Sequence, residues 1–214
     1  MPHKASSLWK IIGVAGALAI VVAWPVISRA QLPGIPPIPI PLPGDPTQTL
    51  TGQASAVTAV VLGNVSTFAD TGTLSSASDP LSASVDTWSV PGASAETLQA
   101  VTMGWSDQVV SEASLGNLAM TVGGAGISAD FIMSRAEAVS GAGGSGLSNI
   151  EGLTIGGVPI SPTGLPNQAV SLPGLSVILN EQIQSANGIV VNALRITTLD
   201  GLTNVVIGSA RAGI

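Results

Sequence analysis

The chain has 214 residues, with twelve acidic side chains, six basic ones, a single histidine and no cysteine or tyrosine. Its histidine and both lysines lie within the first ten residues, so the rest of the chain cannot form a Ser-His-Asp triad, a Cys-His pair, a histidine-rich zinc site or a Schiff-base lysine. Carboxylate chemistry is the only catalysis left to it, and without disulfides its fold must depend on a hydrophobic core.

The first predicted element is an apolar run after Lys10, with no charged residue from Ile11 to Ser28. Ser28 and Ala30 are the small residues that a signal peptidase site requires. We therefore predict that residues 1–30 are a hydrophobic helix that serves as a signal peptide and is cleaved after Ala30. The alternative is a retained membrane helix, because this run is just long enough to span a bilayer.

The exported chain is strongly acidic. Cleavage after Ala30 would leave three cations, Arg135, Arg195 and Arg211, against all twelve acids, for a net charge of 3 − 12 = −9. Such a surface repels phosphate backbones, which excludes nucleic acid as a partner. Contact with a membrane is expected only through the N-terminal segment, if it stays uncleaved, and no cofactor or metal is expected.

A proline-rich spacer follows the predicted signal peptide. Residues 31–47 contain seven prolines, which fix φ and remove backbone donors, so an extended polyproline-like stalk is predicted. Over residues 48–214 the chain changes to short runs of Val, Ala, Ser and Thr separated by Gly, Asn and Asp, a pattern typical of many short strands. This part is predicted to be a single all-β domain, an antiparallel β-sandwich, with one short helix still open at 94–116.

The end of the chain is predicted to be a three-stranded meander. Asn187-Gly188 and Asp200-Gly201 each lie between β-rich runs and are typical of two-residue hairpin turns. With such turns, Glu181 pairs with Leu194 in the first hairpin. In the second hairpin, Asn192 pairs with Ser209.

Strand alternation divides the meander into two faces. The predicted core face carries Leu179, Ile183, Leu194, Ile196, Val205 and Ile207, and the opposite face carries Asn180, Gln182, Gln184, Arg195, Thr197 and Asn204. Glu181, Asn192 and Ser209 fall on the core face, where polar groups must be hydrogen-bonded. A structural polar cluster is therefore predicted, with these members: Asn180, Glu181, Gln182, Asn192 and Ser209. The alternative is a ligand or Ca²⁺ contact from Glu181, without a regular calcium loop.

Three sequence blocks, "PNQAVSLPGLSVILNEQ", "VNALRI" and "NVVIGSARA", occur in this order. Together they resemble the C-terminal half of the choice-of-anchor P family of bacterial exported proteins. The positions that carry the resemblance are Pro166, Asn167, Leu179, Asn180, Glu181, Gln182, Val191, Asn192, Ala193 and Leu194. The resemblance implies a β-rich exported domain attached to the envelope, with no established enzymatic role. Because no apolar tail, basic cluster or sorting signal precedes Ile214, attachment through the C-terminus is not expected.

Three functions are open to such a chain. The first, which the sequence favours, is a non-catalytic exported envelope, cell-surface or extracellular matrix protein that binds an envelope or matrix component through a β-rich surface. The second is a carbohydrate-binding module that would stack sugars on Trp88 and Trp105, although both are expected to be core residues. The third is a glycosidase with a carboxylate pair, for which the candidate acids are Glu112, Glu137 and Glu181.

Overall fold

The computed structural model describes residues 49–77 and 80–214, which form two packed antiparallel β-sheets. The predicted signal peptide and spacer, residues 1–30 and 31–47, lie outside the described residues. Segment 94–116 consists of parts of two strands and the turn between them at residues 105–107, and the short helix left open there is not formed. Within the described ranges, no helix is long and apolar enough to cross a membrane. The prediction of an all-β sandwich is confirmed.

Thirteen strands make up the described part of the chain. They are β1 (Thr51–Val61), β2 (Asn64–Asp70), β3 (Leu81–Val90), β4 (Ala93–Gly104), β5 (Gln108–Val122), β6 (Ala125–Val139), β7 (Gly143–Glu151), β8 (Thr154–Ile155), β9 (Val158–Pro159), β10 (Gln168–Leu172), β11 (Leu175–Ser185), β12 (Gly188–Thr198) and β13 (Thr203–Gly213). Sheet A has the order β10-β11-β12-β13-β1-β2, and sheet B the order β3-β4-β5-β6-β8-β9, with β7 also paired to β6. Sheet A therefore combines both ends of the described chain.

The core between the sheets is almost entirely aliphatic. Its fully buried side chains include Leu98, Leu115, Ile132 and Leu194. This agrees with an aromatic content of only 3%, which leaves Val, Leu, Ile and Ala to fill the space between the sheets. Small side chains allow the two layers to approach closely, and no disulfide is needed to hold them.

In five strands of sheet A, the alternation of side chains between core and solvent is interrupted at one position. Residues after this position point to the opposite face from the one that regular alternation would give them. In β13, Val205 and Ile207 are buried before this position, and Ala210 and Ala212 are buried after it. At this position one residue of each strand has no paired residue on the neighbouring strand. We call these five residues the shift row: Ala69, Ala56, Gly208, Ala193 and Asn180. φ is positive at the members in β2, β13 and β11, which interrupts the extended pleat. Alternation on the two sides of the row is therefore out of phase.

The shift row overturns part of the predicted division into faces. Five residues of the predicted core face are buried as expected: Leu179, Leu194, Ile196, Val205 and Ile207. Ile183, which was also assigned to the core, lies beyond the row and is 49% exposed. Gln182, which was assigned to solvent, is half-buried and donates a hydrogen bond to the Gly146 carbonyl in sheet B. Gln184 is exposed as predicted, although its side chain also donates to the Gly144 carbonyl.

The C-terminal meander is confirmed, with one register correct and one wrong. β12 and β13 pair as predicted, with Asn192 opposite Ser209. In the β11–β12 hairpin, however, Glu181 pairs with Asn192 rather than with Leu194. The turn lies one residue earlier than predicted, at residues 186–187, because Gly188 belongs to the strand.

Candidate functional site

Glu181 is the centre of a buried polar cluster and is itself 7% exposed. Arg195 Nη1 donates to Glu181 Oε1 at 2.9 Å, and Asn192 Nδ2 donates to Glu181 Oε2 at 2.6 Å. Arg195 Nε also donates to Asn204 Oδ1 at 3.2 Å. Both carboxylate oxygens therefore have partners, as a buried charge requires. The prediction that Glu181, Asn192 and Ser209 lie on the core face is wrong, because the shift row places them on the outer face that carries Arg195. The sequence did not reveal the Arg195 contact, since simple alternation placed Arg195 on the face opposite Glu181.

Asn180 and Gln182 connect β11 to the backbone of neighbouring segments. Asn180 Nδ2 donates to the Gly164 carbonyl at 3.0 Å, and Asn180 Oδ1 accepts from Gln182 Nε2 at 3.1 Å. Gln182 Nε2 also donates to the Gly146 carbonyl at 2.9 Å, and the Gln182 backbone N–H donates to Asn167 Oδ1 at 2.9 Å. These bonds fasten both the loop before β10 and strand β7 to β11, so the amides of this stretch are engaged within the fold.

A polar row crosses sheet A beside the shift row. Its members lie opposite one another on five successive strands: Glu181, Asn192, Ser209, Ser55 and Asp70. Ser55 and Asp70 were not singled out from the sequence, because they are far from the meander along the chain. A depression of about 340 Å³ adjoins the row and is lined in part by Gln53, Thr58 and Arg211. Hydroxyl, amide and guanidinium groups thus face solvent in one shallow concavity.

The two tryptophans of the described residues lie in different environments. Trp88 is 7% exposed, and its ring centroid lies 5.0 Å from that of Phe68. Trp105 is 45% exposed in the turn between β4 and β5. The expectation that both are core residues is correct for Trp88 and wrong for Trp105. Only Trp105 of this pair is accessible for stacking on a ligand.

Five of the thirteen exposed large apolar side chains of the described residues lie on two adjacent turns at one end of sheet A. We call these five residues the apolar tip: Val61, Leu62 and Val65 of the β1–β2 hairpin, and Leu199 and Leu202 of the β12–β13 hairpin. Leu62 and Leu199 are 70% and 73% exposed. The Leu62 N–H donates to the Leu202 carbonyl at 2.8 Å and so joins the two turns. The sequence did not identify the tip, because the turn signals were Gly and Asp rather than their leucine neighbours.

Two of the three candidate acids of a glycosidase share one arginine as a partner, and the third lies in the other sheet. Glu112 and Glu137 lie 4.0 and 3.8 Å from Arg135 in sheet B. Glu181, by contrast, is in sheet A and is occupied by Arg195. Among the residues that the structure describes, no group of three or more His, Cys, Asp or Glu side chains is close enough to hold a metal ion.

Comparison of the chain with protein-family models, with curated proteins and with solved structures gave no match. The resemblance to the choice-of-anchor P family therefore stays a prediction. The chemistry of the surface is the remaining basis for assigning a function.

Proposed function

We propose that this protein is a non-catalytic exported protein of the bacterial envelope, cell surface or extracellular matrix, which binds another envelope component through its β-sandwich. The apolar tip is the observation that supports this proposal. The two turns contain ordinary turn residues, Gly63 and Asp200-Gly201, but they also expose three leucines and two valines, which turns do not usually favour. Apolar side chains that are grouped on a surface mark interaction sites.

The buried polar cluster favours the same conclusion from the other direction. Both oxygens of Glu181 accept hydrogen bonds from protein side chains, and Asn180 and Gln182 bind backbone carbonyls. Groups that are engaged in this way stabilise the fold and offer little to a substrate. Recognition is therefore assigned to exposed apolar groups rather than to this cluster.

Fractionation and binding to isolated envelopes test the proposal. The protein expressed with its own N-terminal segment is expected in the envelope or the medium, and the purified exported protein is expected to bind envelopes. A Leu62→Asn/Leu199→Ser variant should bind at least tenfold more weakly, since burial of one leucine is worth about that factor. Leu165→Ser is the matched control, because Leu165 is 67% exposed outside the tip. Retention in the cytoplasm, or equal binding by both variants, would contradict the proposal.

A carbohydrate-binding module is the second candidate, favoured by the exposure of Trp105. Val101 and Met103, each 38% exposed, precede Trp105 at alternate positions in the chain. An exposed indole is a suitable platform for a sugar ring. If this function is correct, a glycan should change the tryptophan fluorescence, and Trp105→Ala should abolish the change. A broad glycan panel without effect on the fluorescence would rule it out.

A further inference from the structure

The leucine at position 62 is held in an unfavourable backbone conformation. Leu62 has a φ of 50° and Gly63 a φ of 80°, so both residues of this two-residue turn are left-handed. Such turns favour Asn-Gly, and a bulky side chain at positive φ is strained. The strained residue is also 70% exposed, so its side chain contributes little to the core. Stability of the fold does not account for leucine here, whereas a contact with something outside the domain does.

The backbone N–H groups of the three leucines in the apolar tip are already hydrogen-bonded. The Leu62 N–H donates to the Leu202 carbonyl at 2.8 Å, and the Leu199 N–H donates to the Gly174 carbonyl at 3.1 Å. The Leu202 N–H donates to Asp200 Oδ1 at 2.9 Å. Unpaired N–H groups would oppose transfer out of water, and these three have partners within the protein. The tip can therefore lose water at comparatively low cost.

Charge is nearly absent at this end of sheet A. Asp200 is the single charged residue of the two turns, "VLGNV" at 61–65 and "LDGL" at 199–202. The Thr198 hydroxyl and then the Leu202 N–H donate to its carboxylate, and they lower the pKa of Asp200 below its ordinary value of 3.8. Two neighbouring turns, at residues 123–124 and 172–175, are uncharged. The tip thus has no cation that would attract an anionic lipid or an acidic protein.

We propose that the apolar tip inserts into the surface of a lipid layer with little net charge. This inference rests on the proposed function and deepens it by naming the partner of the tip. A second copy of the chain or another stable protein partner would bury about 800 Å² on each side, more than five side chains on two narrow turns provide. A lipid layer has no such requirement, because protruding apolar side chains can enter at the boundary between headgroups and acyl chains. If the N-terminal segment stays uncleaved, the tip would add a second membrane contact; if the segment is cleaved, the tip would be the membrane contact of the exported protein.

Single-cysteine labelling tests the insertion, because the chain contains no cysteine of its own. Leu62→Cys and Leu165→Cys variants of the protein, as its host exports it, are labelled with an environment-sensitive fluorophore and mixed with phosphatidylcholine vesicles. The label at position 62 is expected to shift to the blue and to be quenched by brominated acyl chains. The label at position 165 is expected to stay unchanged. The two leucines are matched in exposure, at 70% and 67%.

Vesicle flotation measures the strength of binding. The Leu62→Asn/Leu199→Ser variant is expected to partition at least tenfold more weakly than the parent, and Leu165→Ser equally well. Added anionic lipid should weaken binding of the acidic chain, and salt should restore part of it.

Leu62→Asn removes the strain at this turn, so this single variant is expected to unfold at the same or a higher temperature than the parent.

The outcomes separate the lipid proposal from the proposed function. No response at position 62, or equal responses at both labelled positions, overturns insertion. If isolated envelopes bind the protein through the tip while vesicles do not, the partner is a protein or a glycan, so the lipid proposal fails and the proposed function stands. If vesicles bind the tip while envelopes do not bind the protein, the lipid proposal stands and the proposed function fails.

Discussion

At the scale of single residues, the contacts of Glu181 with Asn192 and Arg195 are expected to contribute measurably to stability. Glu181→Gln leaves one side-chain oxygen for two donors, Asn192 Nδ2 and Arg195 Nη1. One donor then loses its acceptor, at a cost of about 1–3 kcal/mol in the free energy of unfolding. We expect the Tm to fall by roughly 2–4 °C for each kcal/mol, as measured by calorimetry.

The matched control for this substitution is Glu151→Gln. Glu151 is exposed and accepts one hydrogen bond from Asn149 at 2.8 Å, so its replacement should change the free energy of unfolding by no more than about 0.5 kcal/mol. Asn192→Ala should also destabilise the protein, because it removes one donor to Glu181. An unchanged or higher Tm for Glu181→Gln would indicate that the carboxylate is kept for binding rather than for stability.

At the scale of elements, local hairpin signals predicted the meander but misplaced one turn. Gly188 was taken as a turn residue, yet it begins β12 and does not have positive φ. A Cβ at this position would lie 2.6 Å from the Gly213 Cα and would also collide with the Ala212 carbonyl. Glycine is required there by close approach of β13. A sequence does not distinguish a glycine needed for packing from one needed for a turn, so the register was wrong by two residues.

The shift row explains why alternation predicted the faces of the meander only in part. Each run of alternating residues is regular on either side of the row, so the core assignment is correct for Leu194 and Ile207 and wrong for Ile183. Asn180 has a φ of 49°, and asparagine tolerates this region better than most residues. An isolated asparagine in a strand is nevertheless common, and the sequence alone gives no sign that four neighbouring strands shift at the same level.

Gly208, the member of the shift row in β13, is the one glycine in the interior of that strand, and we expect it to resist replacement. Its φ is 61°, and an added Cβ would lie 3.3 Å from the Ala193 Cβ and 3.5 Å from the Ile132 Cγ2. A left-handed L-residue costs about 1–2 kcal/mol, and the crowding adds to this. Gly208→Ala should therefore lower the free energy of unfolding by at least about 1 kcal/mol in a denaturant titration.

Gly126→Ala is the control for the shift row. Gly126 lies in β6 without positive φ, and no atom lies within 4 Å of the position of an added Cβ. This substitution should be neutral or slightly stabilising, because it restricts only the unfolded chain. If Gly208→Ala were equally neutral, the shift row would not require a left-handed residue in β13, and its origin would have to lie in the other strands.

At the scale of the whole molecule, the fold class was predictable and the long-range pairing was not. Short β-rich runs, scarce aromatics and frequent turn residues indicate a sandwich of many strands. The pairing of β1 with β13 joins Thr51 to Gly213, which are 213 − 51 = 162 residues apart. No local signal specifies which distant strands become neighbours, since register depends on burial of one face rather than on sequence proximity. The polar row crosses this junction. Consequently the sequence predicted its members in the C-terminal strands, Glu181, Asn192 and Ser209, but not Ser55 and Asp70 in β1 and β2.

This junction leads to a prediction about folding. A circular permutant that joins Ile214 to Thr49 by a short linker and begins at Pro80 would place the strands of sheet A in sequence order, β10-β11-β12-β13-β1-β2. Closing a loop of this length costs roughly 3 kcal/mol more than closing a short hairpin, because each doubling of length adds about 0.6 kcal/mol. We expect the permutant to fold about tenfold faster or more in stopped-flow experiments, if the β1–β13 pairing forms before the rate-limiting barrier.

The unfolding rate separates this explanation from a general change in stability. Permutation keeps every strand pair of sheet A, so the unfolding rate should change little while the folding rate rises. Its main loss is proximity in sequence between Phe68 and Trp88, whose rings pack at 5.0 Å across the β2–β3 connection. The variant Phe68→Leu, made in both chains, measures that contribution separately. Equal folding rates for the parent and the permutant would mean that sheet B and the β10–β13 strands form first, and that β1 joins β13 only after the barrier is crossed.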